Sequence, residues 1–284
     1  MAGNAKKWFI GCGIGCGLML LIAGGLGTGG YFMVRRAMDQ GEEIEATADA
    51  LQANYGAPGD FRPDPFGAIS ADRLETFLAV REAMGPARDE AGSVLLTLHN
   101  AETGEGDAST IDKFKAGIRL VPAIIEFIKQ RSQAQLDQEM GPGEYLYIYS
   151  LAYYAFLDKD PADGPGFQLT GDDDDDDRGF HFTAEAGDFD RARQGEEVRD
   201  YLHSIQIQMA RTQADGVSHL PEHDAWRTAL AAELALMEAE PYRLLWEEGL
   251  PEPLRLSFEP YRDRLDDLYD EMTNILDCGM VESD

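Results

Sequence analysis

Cysteine is nearly absent from this chain: Cys12 and Cys16 fall in an N-terminal apolar stretch, and Cys278 stands alone in everything after it. The body beyond that stretch cannot close an internal disulfide and must hold itself by packing. Lysine is scarce too, confined to Lys6, Lys7, Lys113, Lys115, Lys129 and Lys159, and Lys and Arg together number 24 against 53 Asp and Glu. Lys6, Lys7, Arg35 and Arg36 are the only charged side chains up to position 36, so the net charge of −29 becomes −33 over the remainder. A field of that sign repels phosphate, which argues against nucleic acid and anionic lipid as partners of the body. An acid-rich, lysine-poor surface also suits high salt, where self-repulsion is screened.

Catalytic motifs are equally sparse. No glycine-rich phosphate loop is present, because the glycines gather near the N-terminus, and no G-x-S-x-G elbow occurs. His99, His181 and His203 are isolated, and carboxylate pairs such as Glu196–Glu197 and Glu247–Glu248 recur too often in so acidic a chain to mark a general acid and base. One five-residue stretch, His219 to His223, resembles the H-x-x-E-H motif of the inverted zinc metalloproteases. That resemblance implies a zinc ion held by His219 and His223, with Glu222 activating water. Pro221 departs from the family pattern, since between the two histidines it fits only the first turn of a helix. The expectation is a chain without a catalytic site or cofactor.

What the chain does contain is an uncharged run from Trp8 to Val34. At about 1.5 Å per helical residue it reaches roughly 40 Å, more than the roughly 30 Å hydrocarbon layer. Lys6 and Lys7 before it, Arg35 and Arg36 after it, and Trp8 and Tyr31 just inside are the flanks of a membrane span. A signal peptide cut near Gly27 competes, but the apolar run continuing to Val34 and the arginines behind it favour an uncleaved anchor. Gly13, Gly17, Gly25 and Gly29 share one helix face, where a second copy or a partner membrane helix can approach closely. The short, lysine-flanked N-terminus favours a body outside the cytoplasm, on the periplasmic side.

Helical periodicity dominates the rest. A stalk helix to about Asn54 and a Pro/Gly linker fill 37–69, and Ser70 is a good N-cap for a helix carrying Leu74, Phe77 and Leu78. Gly85 and Pro86 predict a break near Met84. Ile111, Phe114, Ile118, Val121, Ile125 and Ile128 form a seam that Pro122 should kink. The stretch EYLYIYSLAYYAFL is apolar nearly all round and reads as the central helix, with Tyr145, Tyr149 and Tyr153 on one side as core rings or as a pocket wall. Around Asp172–Asp177, alternating Phe167, Leu169, Phe180 and Phe182 predict a hairpin with an acidic tip. A short helix bearing Leu244, Leu245 and Trp246 should follow Pro241, and the stripe Phe258, Tyr261, Leu265, Leu268, Met272 and Ile275 predicts one long final helix ended by Gly279.

The fold expected is all-α: a single N-terminal transmembrane helix, then an irregular antiparallel bundle with a small β-hairpin near 165–184. Its parts are an anchor at 1–36 spanning at about 8–34, the stalk and linker at 37–69, and an acidic helical domain at 70–284 with an acidic loop at 158–188. Such a chain reads as a single-pass, membrane-anchored interaction or structural module of the cell envelope. The second reading is a ligand-binding or sensory domain walled by Tyr145, Tyr149 and Tyr153, and the third a zinc-dependent hydrolase at His219 and His223.

Overall fold

The computed structural model describes residues 44, 46–103, 110–164, 168–170, 181–183, 191–217 and 223–279. The chain divides into two compact units, Met1–Glu45 and Ala46–Asp284, and the architecture below belongs to the second. The expected span at 8–34, with Gly13, Gly17, Gly25 and Gly29, lies outside the described residues. No helix among the described residues is long and apolar enough to cross a membrane.

The body is a helical bundle. Helix α1 covers 46–55, and after a 3₁₀ turn at Pro58–Asp60 an extended loop leads to α2, Ala71–Ala83. Ser70 caps α2 by accepting from the Arg73 amide, and Leu74, Phe77, Leu78 and Val80 are buried on its inner side. The break expected at Gly85 shrinks to the single residue Met84. Helix α3, Gly85–Thr103, restarts at once because Pro86 sits in its first turn, where a missing N–H costs nothing.

Helix α4, Thr110–Asp137, contains Pro122 and lies along α3, the most extensive pairing of two helices in the body. Its buried face there is Leu120, Ala123, Ile124, Phe127, Ile128 and Arg131, with Ile125 only half-buried. Of the expected seam Ile128 is buried, whereas at Ile125 the buried place is taken by Ile124.

Helix α5, Pro142–Ser150, runs on into a π-turn, Leu151–Phe156, and is buried from Tyr145 to Tyr154. It is the central element the sequence predicted. Gly143 is required at its start, since a Cβ there would meet the Pro58 carbonyl and the Phe61 side chain. Strands β1, Gln168–Thr170, and β2, His181–Thr183, pair antiparallel with Leu169 opposite Phe182. Asp172–Asp177 lie outside the described residues.

Helices α6, Arg191–Val217, and α7, Asp224–Ala239, pack on each other. Two buried amides of α6 peg two loops: Gln213 Nε2 donates to the Asp64 carbonyl at 2.6 Å, and Gln206 Oε1 accepts from the Leu245 amide at 2.8 Å. The short helix expected at Leu244, Leu245 and Trp246 after Pro241 does not form. Tyr242 and Trp246 adopt φ of +69° and +60°, which no right-handed helix accommodates, and the loop folds around buried Arg243, paired with Glu233 at 3.3 Å. The final helix is likewise broken into α8 (Glu252–Phe258), a 3₁₀ turn (Glu259–Tyr261), α9 (Arg262–Asp267), a second 3₁₀ turn (Glu271–Thr273) and α10 (Asn274–Asp277). Gly279 follows α10 with φ of +78°, as expected of a C′ residue.

Candidate functional site

The break after α9 has a polar cause. Arg81, on the apolar stripe of α2, is fully buried, and its guanidinium donates to the Leu268 carbonyl at 2.7 Å. Arg88 from α3 donates to the same carbonyl at 2.9 Å. A carbonyl taken by two guanidiniums is drawn out of a helical ladder, and the chain restarts where Asp270 caps the Met272 amide at 2.8 Å. The Arg81 guanidinium also pairs with Asp277, likewise fully buried, and donates to the Tyr145 hydroxyl at 2.9 Å. From α4, Arg131 donates to the Leu276 carbonyl at 2.5 Å.

Asn274 completes the cluster. Its Oδ1 accepts from Tyr149 and Tyr154 at 2.9 and 2.8 Å, and its Nδ2 donates to the Pro161 and Asp163 carbonyls at 3.0 and 3.1 Å. Residues five apart on an α-helix point about 140° from one another and could not reach one oxygen. The π-turn, which bonds i to i+5, swings Tyr154 round to join Tyr149. The Arg81 guanidinium lies over the Tyr149 and Tyr153 rings at 5.3 and 5.5 Å.

Electrostatics keeps the cluster inert. Burial works against the Arg81 charge, but the Asp277 carboxylate together with Tyr145, Tyr153 and Tyr149 outweighs it, and the guanidinium is held well above its ordinary pKa. Burial pushes Tyr149 and Tyr154 well above the usual phenol range, so both remain neutral donors. Burial likewise pushes the Cys278 thiol, 2.9 Å from the Tyr154 hydroxyl, up to about 12. A thiol so protonated is a poor nucleophile. These groups lock the segment after α9 into the bundle.

Tyr145, Tyr149 and Tyr153 are thus core rings keyed to that segment, and they line neither of two cavities that open to solvent. The larger cavity, about 820 Å³, is a crevice between the loop Phe61–Ile69, the start of α2, α5 and the end of α6. Phe61, Pro63, Ile69, Tyr147 and Ile148 give it apolar walls, while Arg62, Asp64, Arg73, Glu144 and Asp215 bring charge to it. Arg73 is engaged by both oxygens of Glu144, at 2.6 and 2.5 Å. Tyr147 is buried beside Gln213; its hydroxyl and Gln213 Oε1 do not meet in hydrogen-bond geometry, though Gln213 lies near enough to offset a part of the rise that burial gives the Tyr147 pKa. The smaller cavity, about 340 Å³, lies beside the π-turn, and its Lys159 and Arg199 are paired with Asp266 and Glu247 at 2.7 and 2.5 Å.

Of the H-x-x-E-H residues, His219 and Glu222 lie outside the described residues. His223 packs its ring on Phe66, with centroids 4.1 Å apart. Among the described residues no three His, Cys, Asp or Glu side chains are grouped to hold a metal ion. Gly67 lets the Phe66 loop lie flat on α7, for it adopts φ of +73° and the Trp226 ring occupies the place of a Cβ.

Apolar periodicity alone does not disclose the polar cluster. One signal was present: Arg81 continues the Leu74–Phe77–Leu78 stripe at helical spacing, where a charged residue needs a buried partner. Comparison with known proteins finds no matching family model, no matching curated protein and no matching solved structure.

Proposed function

We propose that this chain is a single-pass, membrane-anchored helical module of the cell envelope, acting by binding and positioning and not by catalysis. The observation that carries the reading is the uncharged run Trp8–Val34, bracketed by Lys6, Lys7, Arg35 and Arg36. The interior of the body supports it. Polar groups of the cluster, Arg81, Asp277, Tyr145 and Tyr149, are buried and joined to one another directly or through Asn274, as in a protein that invests buried polarity in a unique packing. The anchor's glycine face offers a contact for a second copy or a partner helix, and the bilayer itself is the first partner. The body's acidity disfavours its contact with anionic headgroups.

Topology on intact cells tests this. With a reporter fused after Asp284, the body is expected in the membrane fraction after carbonate extraction and open to protease added outside the cytoplasmic membrane. Release by carbonate would remove the anchor. Retention with protease protection would keep the anchor and place the body on the cytoplasmic side.

A further inference from the structure

Of the described arginines, Arg62 alone has neither an ion pair nor a hydrogen bond. Arg73, Arg81, Arg119, Arg191, Arg193, Arg199, Arg211, Arg227, Arg243, Arg255, Arg262 and Arg264 all meet carboxylates, and Arg88 and Arg131 meet backbone carbonyls. In a chain with 53 acidic residues an arginine without a carboxylate is the exception. Arg62 is exposed and lies on the mouth of the 820 Å³ crevice, whose wall carries a second orphan, the hydroxyl of Tyr147, 3% exposed and without a hydrogen-bond partner.

We propose that this crevice is a binding site for a monoanionic carboxylate with an apolar body. Volume, charge and lining each restrict the ligand. A space of about 820 Å³ is in the range of small-molecule sites. Arg62 supplies a planar donor fork that no carboxylate among the described residues engages and that matches the geometry of one. The lining sets two guanidiniums, Arg62 and Arg73, against three carboxylates, Asp64, Glu144 and Asp215, so only the local Arg62 fork favours an anion and a phosphate dianion is disfavoured most. Phe61, Pro63, Ile69 and Ile148 remove an aliphatic or aromatic body from water. The Tyr147 hydroxyl, buried without a partner, gains a bond when an acceptor enters. The site uses the face of α5 opposite to Tyr145 and Tyr149 and does not depend on the membrane reading.

Calorimetric titration of the full-length chain in nonionic detergent with 3-phenylpropionate tests this. The expected result is saturable one-to-one binding, at least about tenfold weaker for the neutral 3-phenylpropionamide, as loss of a charge-assisted bond requires. Arg62→Gln should lower affinity about tenfold and Tyr147→Phe several-fold, whereas Arg255→Gln, a surface arginine elsewhere, should bind like the parent. N-acetyl-alanyl-phenylalanine carries the same chemistry as a peptide C-terminus. Tighter binding of it identifies a peptide terminus as the source of the carboxylate, and weaker binding a free small acid. Equal affinity for the amide, indifference to Arg62→Gln, or no saturation would overturn the site, and a preference for phenyl phosphate would overturn its assignment to a monoanion.

Discussion

At the scale of single residues the decisive pair is Arg81 and Asp277, both wholly buried. A buried ion pair adds little net stability over a well-packed apolar pair, yet removing one partner strands the other charge and costs about 3–5 kcal/mol. Asp277→Asn and Arg81→Met are each expected to lower the unfolding free energy in urea by that amount. The double variant Arg81→Met, Asp277→Leu should recover a large part of it, and strictly additive losses would show that the two groups do not act as a pair. The buried phenols and thiol make a second prediction. Tyr149, Tyr154 and Cys278 have pKa values raised by burial, so the folded state binds their protons more tightly than the unfolded state does. Their contribution is fully present below the unfolded values of about 8.5 for Cys and 10 for Tyr, and is lost as pH rises through the folded values. Stability should fall steeply above about pH 9, and Tyr149 and Tyr154 should ionise only as the chain unfolds; ionisation of these two rings in the intact fold, followed by their ring resonances, would contradict it. None of this was legible from composition, because the sequence shows that an arginine falls on an apolar stripe but not which of 53 carboxylates it meets.

At the scale of elements, helical content and the central place of α5 were legible, and the ends of elements were not. The Ser70 cap and the Gly279 terminus were readable because each is a local rule satisfied within a few residues. The expected final helix had sound local periodicity, and its stripe residues Phe258 and Leu265 are buried as predicted. It is broken by distant groups, the guanidiniums of Arg81 and Arg88 on the Leu268 carbonyl, which sequence spacing cannot register. The π-turn in α5 belongs to the same class, since its reason is Asn274 more than a hundred residues away. Replacing Asn274 by Leu therefore strands the Tyr149 hydroxyl and two carbonyls at once and leaves Tyr154 with the Cys278 thiol alone, at about 1–3 kcal/mol for each group left unpaired. The expected outcome is a chain that keeps its far-ultraviolet helical signal while the amides of 268–279 lose hydrogen-exchange protection. Unchanged protection there would show that the arginines hold the segment without Asn274.

At the scale of the whole molecule charge is the ruling quantity, and it was fully legible. The body carries −33, and its described arginines are almost all committed to particular carboxylates. Two effects of salt then oppose each other. Screening weakens exposed pairs such as Arg193–Glu197 and Arg211–Glu238, but each contributes no more than about 1 kcal/mol and pairs of this kind often contribute nothing. Screening also relieves repulsion among the many carboxylates left over, a sum of long-range terms that grows with the square of the net charge. Shortening the Debye length from about 10 Å at 0.1 M to about 3 Å at 1 M removes most of that repulsion. The second effect wins, and the melting temperature should rise by several degrees between those concentrations of sodium chloride, about 2–4 °C for each kcal/mol gained. The same titration near pH 4.5, where carboxylates are partly protonated, separates this cause from a general effect of salt on apolar burial. A smaller rise there follows from relieved repulsion, whereas an equal rise at both pH values would assign the stabilisation to the apolar core.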